Sequence, residues 1–182
     1  RFPIIDSGRV RFPRPSLPEV LLHADLLVNN DTIRVFTTHL QSLQFTRHDY
    51  ERIEKIKSVE DSLLANSRGI LSKLKKGITY RSLQADIVHE VMGNSPHPYI
   101  LCADLNDVPN SYTYFTVRGD MKDAFLEKGT GIGRSFTSLS PTLRIDYILA
   151  SKELEVRQFK RVTRQYSDHF MLVSDLAVES GK

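Results

Sequence analysis

The sequence is poor in several features that would narrow its function. It holds one cysteine in 182 residues, so no disulfide can close within the chain, and cysteine usage leaves the redox compartment open. No apolar run approaches the roughly 18 residues that a spanning helix needs, so no membrane segment is expected. The opening residues, Arg1-Phe-Pro-Ile-Ile-Asp-Ser-Gly8, lack the apolar stretch of a signal peptide and also an initiator methionine. Neither charge sign dominates: 25 basic and 22 acidic side chains leave a net charge of +3, which permits an anionic partner without demanding one. Gly129, Gly131 and Gly133 share a Gly-x-Gly spacing, but no strand precedes them and no helix follows, which argues against a dinucleotide site. Internal repeats and low-complexity segments are absent. What remains is ordinary for a globular chain, with 40% hydrophobic and 26% charged residues. The length suits one domain, residues 1–182, with a sizeable core.

The most informative stretch is Tyr99-Ile-Leu-Cys-Ala-Asp104-Leu-Asn106-Asp107. A short apolar run bounded by His97-Pro98 and Pro109-Asn110 reads as a buried strand, with Cys102 as a small buried hydrophobe. A carboxylate and a carboxamide at the end of such a strand are costly unless something uses them. Upstream, Phe2–Ile5 and Val10–Phe12 read as short apolar pieces, followed by a loop rich in proline. Val20–Val28 and Ile33–Thr38 flank the turn signal Asn29-Asn30-Asp31 and predict an antiparallel hairpin that delivers His39 at its end. Apolar spacings of three and four from Arg47 to Met92 predict helix, carried by Ile53, Ile56, Val59, Leu63, Leu64, Leu71 and Leu74. A break is expected at Gly77, with Thr79 as the cap of a second helix. Ser111 or Asn110 caps a helical turn reaching Val117. Further strands are expected at Leu143–Ala150, Val156–Val162 and Phe170–Val178. Strands with one helical block between two of them indicate an α+β or layered α/β domain.

Polar residues therefore stand at four places at the ends of, or inside, apolar strands: His39, Asp104 with Asn106, Asp146, and Asp168 with His169. In Thr38-His39-Leu40, Ala103-Asp104-Leu105-Asn106, Ile145-Asp146-Tyr147 and Ser167-Asp168-His169, in this order, the chain resembles the endonuclease/exonuclease/phosphatase superfamily over essentially its whole length. The resemblance implies a four-layered α/β sandwich of two mainly antiparallel sheets flanked by helices, of which this chain is the C-terminal two-thirds. It implies metal-dependent hydrolysis of a phosphate ester, with Mg²⁺ or Mn²⁺ as the cofactor. It assigns His169 to the scissile phosphate, Asp146 to the imidazole behind it and Asp104 to the attacking water. Asn106 and His39 would donate to phosphate oxygens, and Asp168 would lie at or near the metal. Oxygen donors without thiols suit a hard cation.

Two departures qualify the resemblance. Ala103 and Leu105 replace the glycine and phenylalanine of the usual Gly-Asp-Phe-Asn. More seriously, the early strands that carry an asparagine and the principal glutamate ligand have no counterpart upstream of His39. A fragment with an incomplete metal site, weak divalent binding and exposed sheet edges prone to self-association is therefore expected. The substrate stays open. A phosphodiester, with nucleic acid among the candidates, stands beside a phosphomonoester and a sphingomyelinase-type lipid diester, and a silent binding module is the reading from another class. Arg144 is either a phosphate contact or one half of a surface ion pair. Asp107 is expected to cap its turn, and Tyr112 and Tyr114 to pack on the strand. The basic residues Arg157, Lys160, Arg161 and Arg164, with Lys73, Lys75 and Lys76, are expected to form solvated faces.

Overall fold

The computed structural model describes residues 1–13, 19–43, 46–49, 51, 63–138, 140, 142–164 and 166–178. Strands β1 (Ile4–Arg11), β2 (Val20–Val28) and β3 (Asp31–His39) form an antiparallel meander. The two apolar pieces expected before Pro13 are thus parts of one strand, which pairs with β2. Asn29 and Asn30 turn the β2–β3 hairpin with φ of 49° and 72°, a left-handed pair that asparagine tolerates well. After β3 the backbone of residues 47–49 and 51 is helical, while Ile53, Ile56 and Val59 lie outside the described residues.

Helix α1 (Leu63–Gly93) runs unbroken through Gly77. The expected break does not occur. Thr79 caps nothing; its hydroxyl donates to the Lys75 carbonyl one turn back, at 3.0 Å. Gly77 lies where the segment after β3 meets the helix: a Cβ at this position would stand 2.7 Å from Leu43 Cδ2 and would push that side chain aside. Leu71 is 64% exposed and not part of the stripe; the buried face is Arg81, Gln84, Ala85, Val88 and Met92.

Strand β4 (Tyr99–Asp104) returns parallel to β3 and is followed by α2 (Tyr112–Arg118), β5 (Lys122–Asp123), α3 (Ala124–Lys128) and β6 (Asp146–Ala150). The large sheet has the order β1-β2-β3-β4-β6-β5, antiparallel except at β3–β4. Strands β7 (Leu154–Val162) and β8 (Met171–Val178) pair antiparallel as a second sheet. Helix α1 packs on one face of the large sheet, burying Phe36, Leu101, Tyr147 and Leu149 with Val88 and Met92. The hairpin β7–β8 packs on the other face through Ala150, Leu154 and Val156 with Ile100 and Ile148. Further along that face the surface of β1–β3 is open, a concavity of about 640 Å³ lined by Leu22, Ala24, Leu26 and Val35.

Side chains alternate across a strand. Leu101 and Ala103 face α1, so Ile100, Cys102 and Asp104 face the other way. Cys102 is consequently exposed, not buried as expected, because no described element covers that part of the sheet. No helix among the described residues is long and apolar enough to cross a membrane.

Candidate active site

The register of the large sheet assembles the site. His39 pairs with Asp104 across β3–β4, and Asp104 pairs with Asp146 across β4–β6. Two strands end and one begins at the same level, so three polar side chains stand in a row on neighbouring strands about 5 Å apart. His169 enters from a distant part of the chain. Phe136 and His169 form an isolated bridge, and Phe170 N donates to Ser135 O at 2.7 Å. The Phe136 ring packs against the imidazole, 4.8 Å between ring centroids and tilted by 55°. His169 Nδ1 is then 2.9 Å from Asp146 Oδ2.

Asp104, Asp146 and His169 offer ligand atoms that all lie within 4.8 Å of one another, with all three groups half-buried. Burial and the neighbouring Asp146 charge push the Asp104 carboxyl up to about 6, against the pull of the Asn106 N–H and the two histidines. Burial disfavours the His169 cation, but the Asp146 hydrogen bond and the surrounding carboxylates outweigh it, and the imidazole is held above its ordinary range. The carboxylates are oxygen donors suited to a hard divalent ion, whose positive charge would relieve the crowding of Asp104 against Asp146.

Asn106 leaves the strand in a left-handed conformation, φ 50°, and its N–H folds back onto Asp104 Oδ1 at 2.8 Å. That bond occupies one carboxylate oxygen and leaves Oδ2 toward the cluster. The Asn106 amide nitrogen lies 2.9 Å from Leu40 O and 3.0 Å from His39 Nε2. The carbonyl contact fixes that atom as the donor. His39 Nε2 therefore accepts, and the neutral ring carries its proton on Nδ1, 3.7 Å from Glu19 Oε1. Both amide hydrogens of Asn106 are thus engaged by the protein, whereas a phosphate contact was expected. The residue orients His39, whose side chain is 55% exposed.

Arg144 is not brought to the cluster. It is buried, donates to Asp123 Oδ2 at 2.8 Å, and lies against the rings of Phe125 and Tyr147. Neither the phosphate contact nor the surface ion pair describes it. The strand begins only at Asp146, so strand alternation does not carry Arg144 to the face of Asp146. Asp168 is exposed; its carboxylate accepts from Ser167 Oγ, and it stands outside the Asp104–Asp146–His169 group. Asp107 caps its turn through Val108 N and also accepts from Arg81 and Thr113. Tyr114 is buried and donates to Asp123, whereas Tyr112 is exposed and donates to Asp86. Arg157, Lys160 and Arg164 are solvated as expected, but Arg161 is half-buried over the Phe170 ring and donates to Arg134 O.

Several supporting residues were not singled out from the sequence. Ser135, fully buried, accepts the N–H groups of Ile145 and Asp146 and so fixes where β6 begins. Gln84 accepts Gln41 N and donates to Glu19, and Arg81 donates to Gln41 O. Arg81 and Gln84 interrupt the apolar stripe of α1 at a spacing of three, and that was the available signal.

The profile of the Endonuclease/Exonuclease/phosphatase family matches residues 78–169, just over half of the chain and including Asp104, Asn106, Asp146 and His169. The chain belongs to this family. Among solved structures, the catalytic domain of human Nocturnin with bound sulfate is 18% identical, with a TM-score of 0.62, covering 98% of this chain and 60% of that one. A mannosyl-6-phosphatase of Bacteroides thetaiotaomicron is 17% identical, TM-score 0.62, covering 97% and 67%. A humanized D. rerio TDP2 is 16% identical, TM-score 0.67, covering 98% and 68%. The shared fold is what these likenesses establish, and the chain spans 60% of the Nocturnin domain's length. No curated protein sequence matches the chain.

Proposed function

We propose that this cluster hydrolyses a phosphate ester, and a phosphodiester in the first place, with a divalent metal ion. The observation that carries the reading is the division of labour in one half-buried group. Asp104, its carboxyl pushed up to about 6, keeps Oδ2 clear of the Asn106 N–H, while Asp146 holds His169 toward its cationic form. Asp104 as carboxylate takes the proton of a water whose oxygen attacks phosphorus. The P–O bond to the leaving group breaks opposite the entering oxygen. The His169 cation stabilises the charge that develops on the phosphoryl oxygens. With His39 Nε2 engaged by the Asn106 amide, His39 would donate to a non-bridging oxygen from its Nδ1–H. Mg²⁺ or Mn²⁺ would be held at the Asp146 carboxylate, with exposed Asp168, the neighbour of His169 in sequence, as a further oxygen donor. When bound, such an ion neutralises phosphate charge.

The test is hydrolysis of bis(p-nitrophenyl) phosphate and of p-nitrophenyl phosphate by the chain, with Mg²⁺ or Mn²⁺ and with chelator. Metal-dependent release from the diester supports the reading. Faster release from the monoester makes the site a phosphomonoesterase, the activity named for the mannosyl-6-phosphatase neighbour. No release from either, with the fold intact, leaves a silent binding module of the same fold.

A further inference from the structure

Two half-buried arginines stand behind His169. Arg134 and Arg161 both lie over the ring of Phe170, the residue after His169, with their guanidinium carbons 5.9 and 5.6 Å from its centroid. Arg161 Nη1 donates to Arg134 O at 2.7 Å, so strand β7 and the segment between α3 and β6 bring the two side by side. Arg134 gives Nε to Phe136 O at 2.9 Å and Nη2 to Thr137 O. The frame around the pair is firm: Thr137 N donates to Asp168 O and Phe170 N to Ser135 O, at 2.8 and 2.7 Å.

Other arginines of the chain are answered by acids. Arg34 pairs with Asp25, Arg81 with Asp107 and Arg144 with Asp123, and even the exposed Arg157, earlier on β7, pairs with Glu155 at 2.8 Å. Arg134 and Arg161 bond only to carbonyl oxygens, and among the described residues no carboxylate pairs with either. Arg161 Nε is buried with no acceptor. Arg134 Nη1 and Arg161 Nη2 also donate to no protein group, and they are not shut away from solvent. The Phe170 ring attracts each cation, but it cannot cancel the repulsion between two like charges held against one ring. A dianion cancels both. Phosphate-type oxyanions also accept from several guanidinium N–H groups at once, which a single carboxylate does less fully.

We infer that Arg134 and Arg161 form a binding site for a phosphate-type oxyanion, next to His169 but separate from the Asp104–Asp146–His169 group. The inference does not require the hydrolase reading, because the pair can hold an anion whether or not the cluster turns over an ester. The oxyanion is a free ion or a second charged group on a ligand whose other end meets His169, and its chemistry is the same in both cases. Arg161 is thereby set apart from Arg157, Lys160 and Arg164, with which it was expected to form a solvated face.

The test is calorimetric titration of the chain with inorganic phosphate at constant ionic strength, with chelator present. Arg161→Gln is expected to weaken phosphate binding at least about tenfold. Arg157→Gln, which removes an equal charge from the same strand, and His169→Ala should each stay within about twofold. Arg161→Lys keeps a cation without the planar fork; it should remain folded by circular dichroism and bind several-fold more weakly than the unmodified chain. In the unmodified chain, phosphate should also shift the Arg161 Nε–H resonance in a ¹H–¹⁵N spectrum, a readout that no variant's folding can affect. An unmoved resonance, equal losses in Arg157→Gln and Arg161→Gln, or a loss confined to His169→Ala overturns the inference. Propane-1,3-diyl bisphosphonate, which cannot be hydrolysed, separates the two sources of the oxyanion. Binding tighter than phosphate that falls in both Arg161→Gln and His169→Ala supports a second group of one ligand. Binding no tighter than phosphate that falls only in Arg161→Gln supports a free ion.

Discussion

Two carboxylate–cation pairs meet the same short segment, Arg144-Ile-Asp146, and they could hardly be treated more differently. Asp123 and Arg144 are 1% and 5% exposed at the side chain and 2.8 Å apart. Every group around them is used. Tyr114 Oη donates to the same carboxylate oxygen, Phe125 N to the other, and two rings cover the guanidinium. Gly133, at φ 74°, closes the site so tightly that a Cβ would stand 2.9 Å from Arg144 Cδ. Asp146 and His169, 20% and 31% exposed, are 2.9 Å apart and open to a further carboxylate that repels the first. A saturated buried pair fixes architecture. A half-open pair crowded by Asp104 leaves charge and lone pairs to spare, and these are what a phosphate ester and a hard cation would take up.

Substitutions on each side should break the contrast differently. His169→Ala is expected to lower diester hydrolysis by about 10²–10⁴-fold with the thermal unfolding curve little moved; a steady-state assay beside circular dichroism reads both. Arg144→Leu does the reverse. Leaving Asp123 buried and unpaired should cost about 3–5 kcal/mol in urea unfolding, with activity falling only as the folded fraction does.

Acidity sharpens the comparison. The folded Asp104 carboxyl lies above its unfolded value, so its contribution to stability is complete below about pH 4 and is lost as pH rises through about 6. With chelator present, Asp104→Asn should match the unmodified chain in stability near pH 4 and exceed it at pH 7.5, by up to about 3 kcal/mol. Differential scanning calorimetry across that range measures the gap. The smallest effect belongs to Asn106→Gly, which keeps the left-handed backbone and removes the amide that turns His39. Hydrolysis should fall about 10–100-fold with stability within about 0.5 kcal/mol, since misorientation alone is enough to slow a positioned reaction.

The rows of polar residues at strand ends were legible because a carboxylate ending an apolar run is costly. His39 ends β3, Asp104 ends β4 and Asp146 opens β6 where a longer strand had been expected to enclose it, and register explains the meeting of these three, while His169 joins them through the Phe136 bridge. Asn106 was found, but its partners were not. Only the three-dimensional path of the backbone after Asp104 shows its amide facing Leu40 and His39. Arg144 misled because a strand starting at Leu143 would set it beside Asp146, and a buried serine ten residues before Ile145, Ser135, decides that β6 starts later. Gly77 misled for a related reason: its role is the approach of Leu43 from a segment distant in sequence, which no helical propensity records.

The central claim is that Asp104 acts as the base of a phosphodiester hydrolysis. Its most direct test measures bis(p-nitrophenyl) phosphate turnover at pH 8 with Mn²⁺, for the unmodified chain and for Asp104→Asn, with a melting temperature recorded on each sample. The expected result is a loss of at least about 10²-fold in rate with a melting temperature equal to or above that of the unmodified chain. Turnover retained within a few-fold in a folded Asp104→Asn chain would contradict the claim.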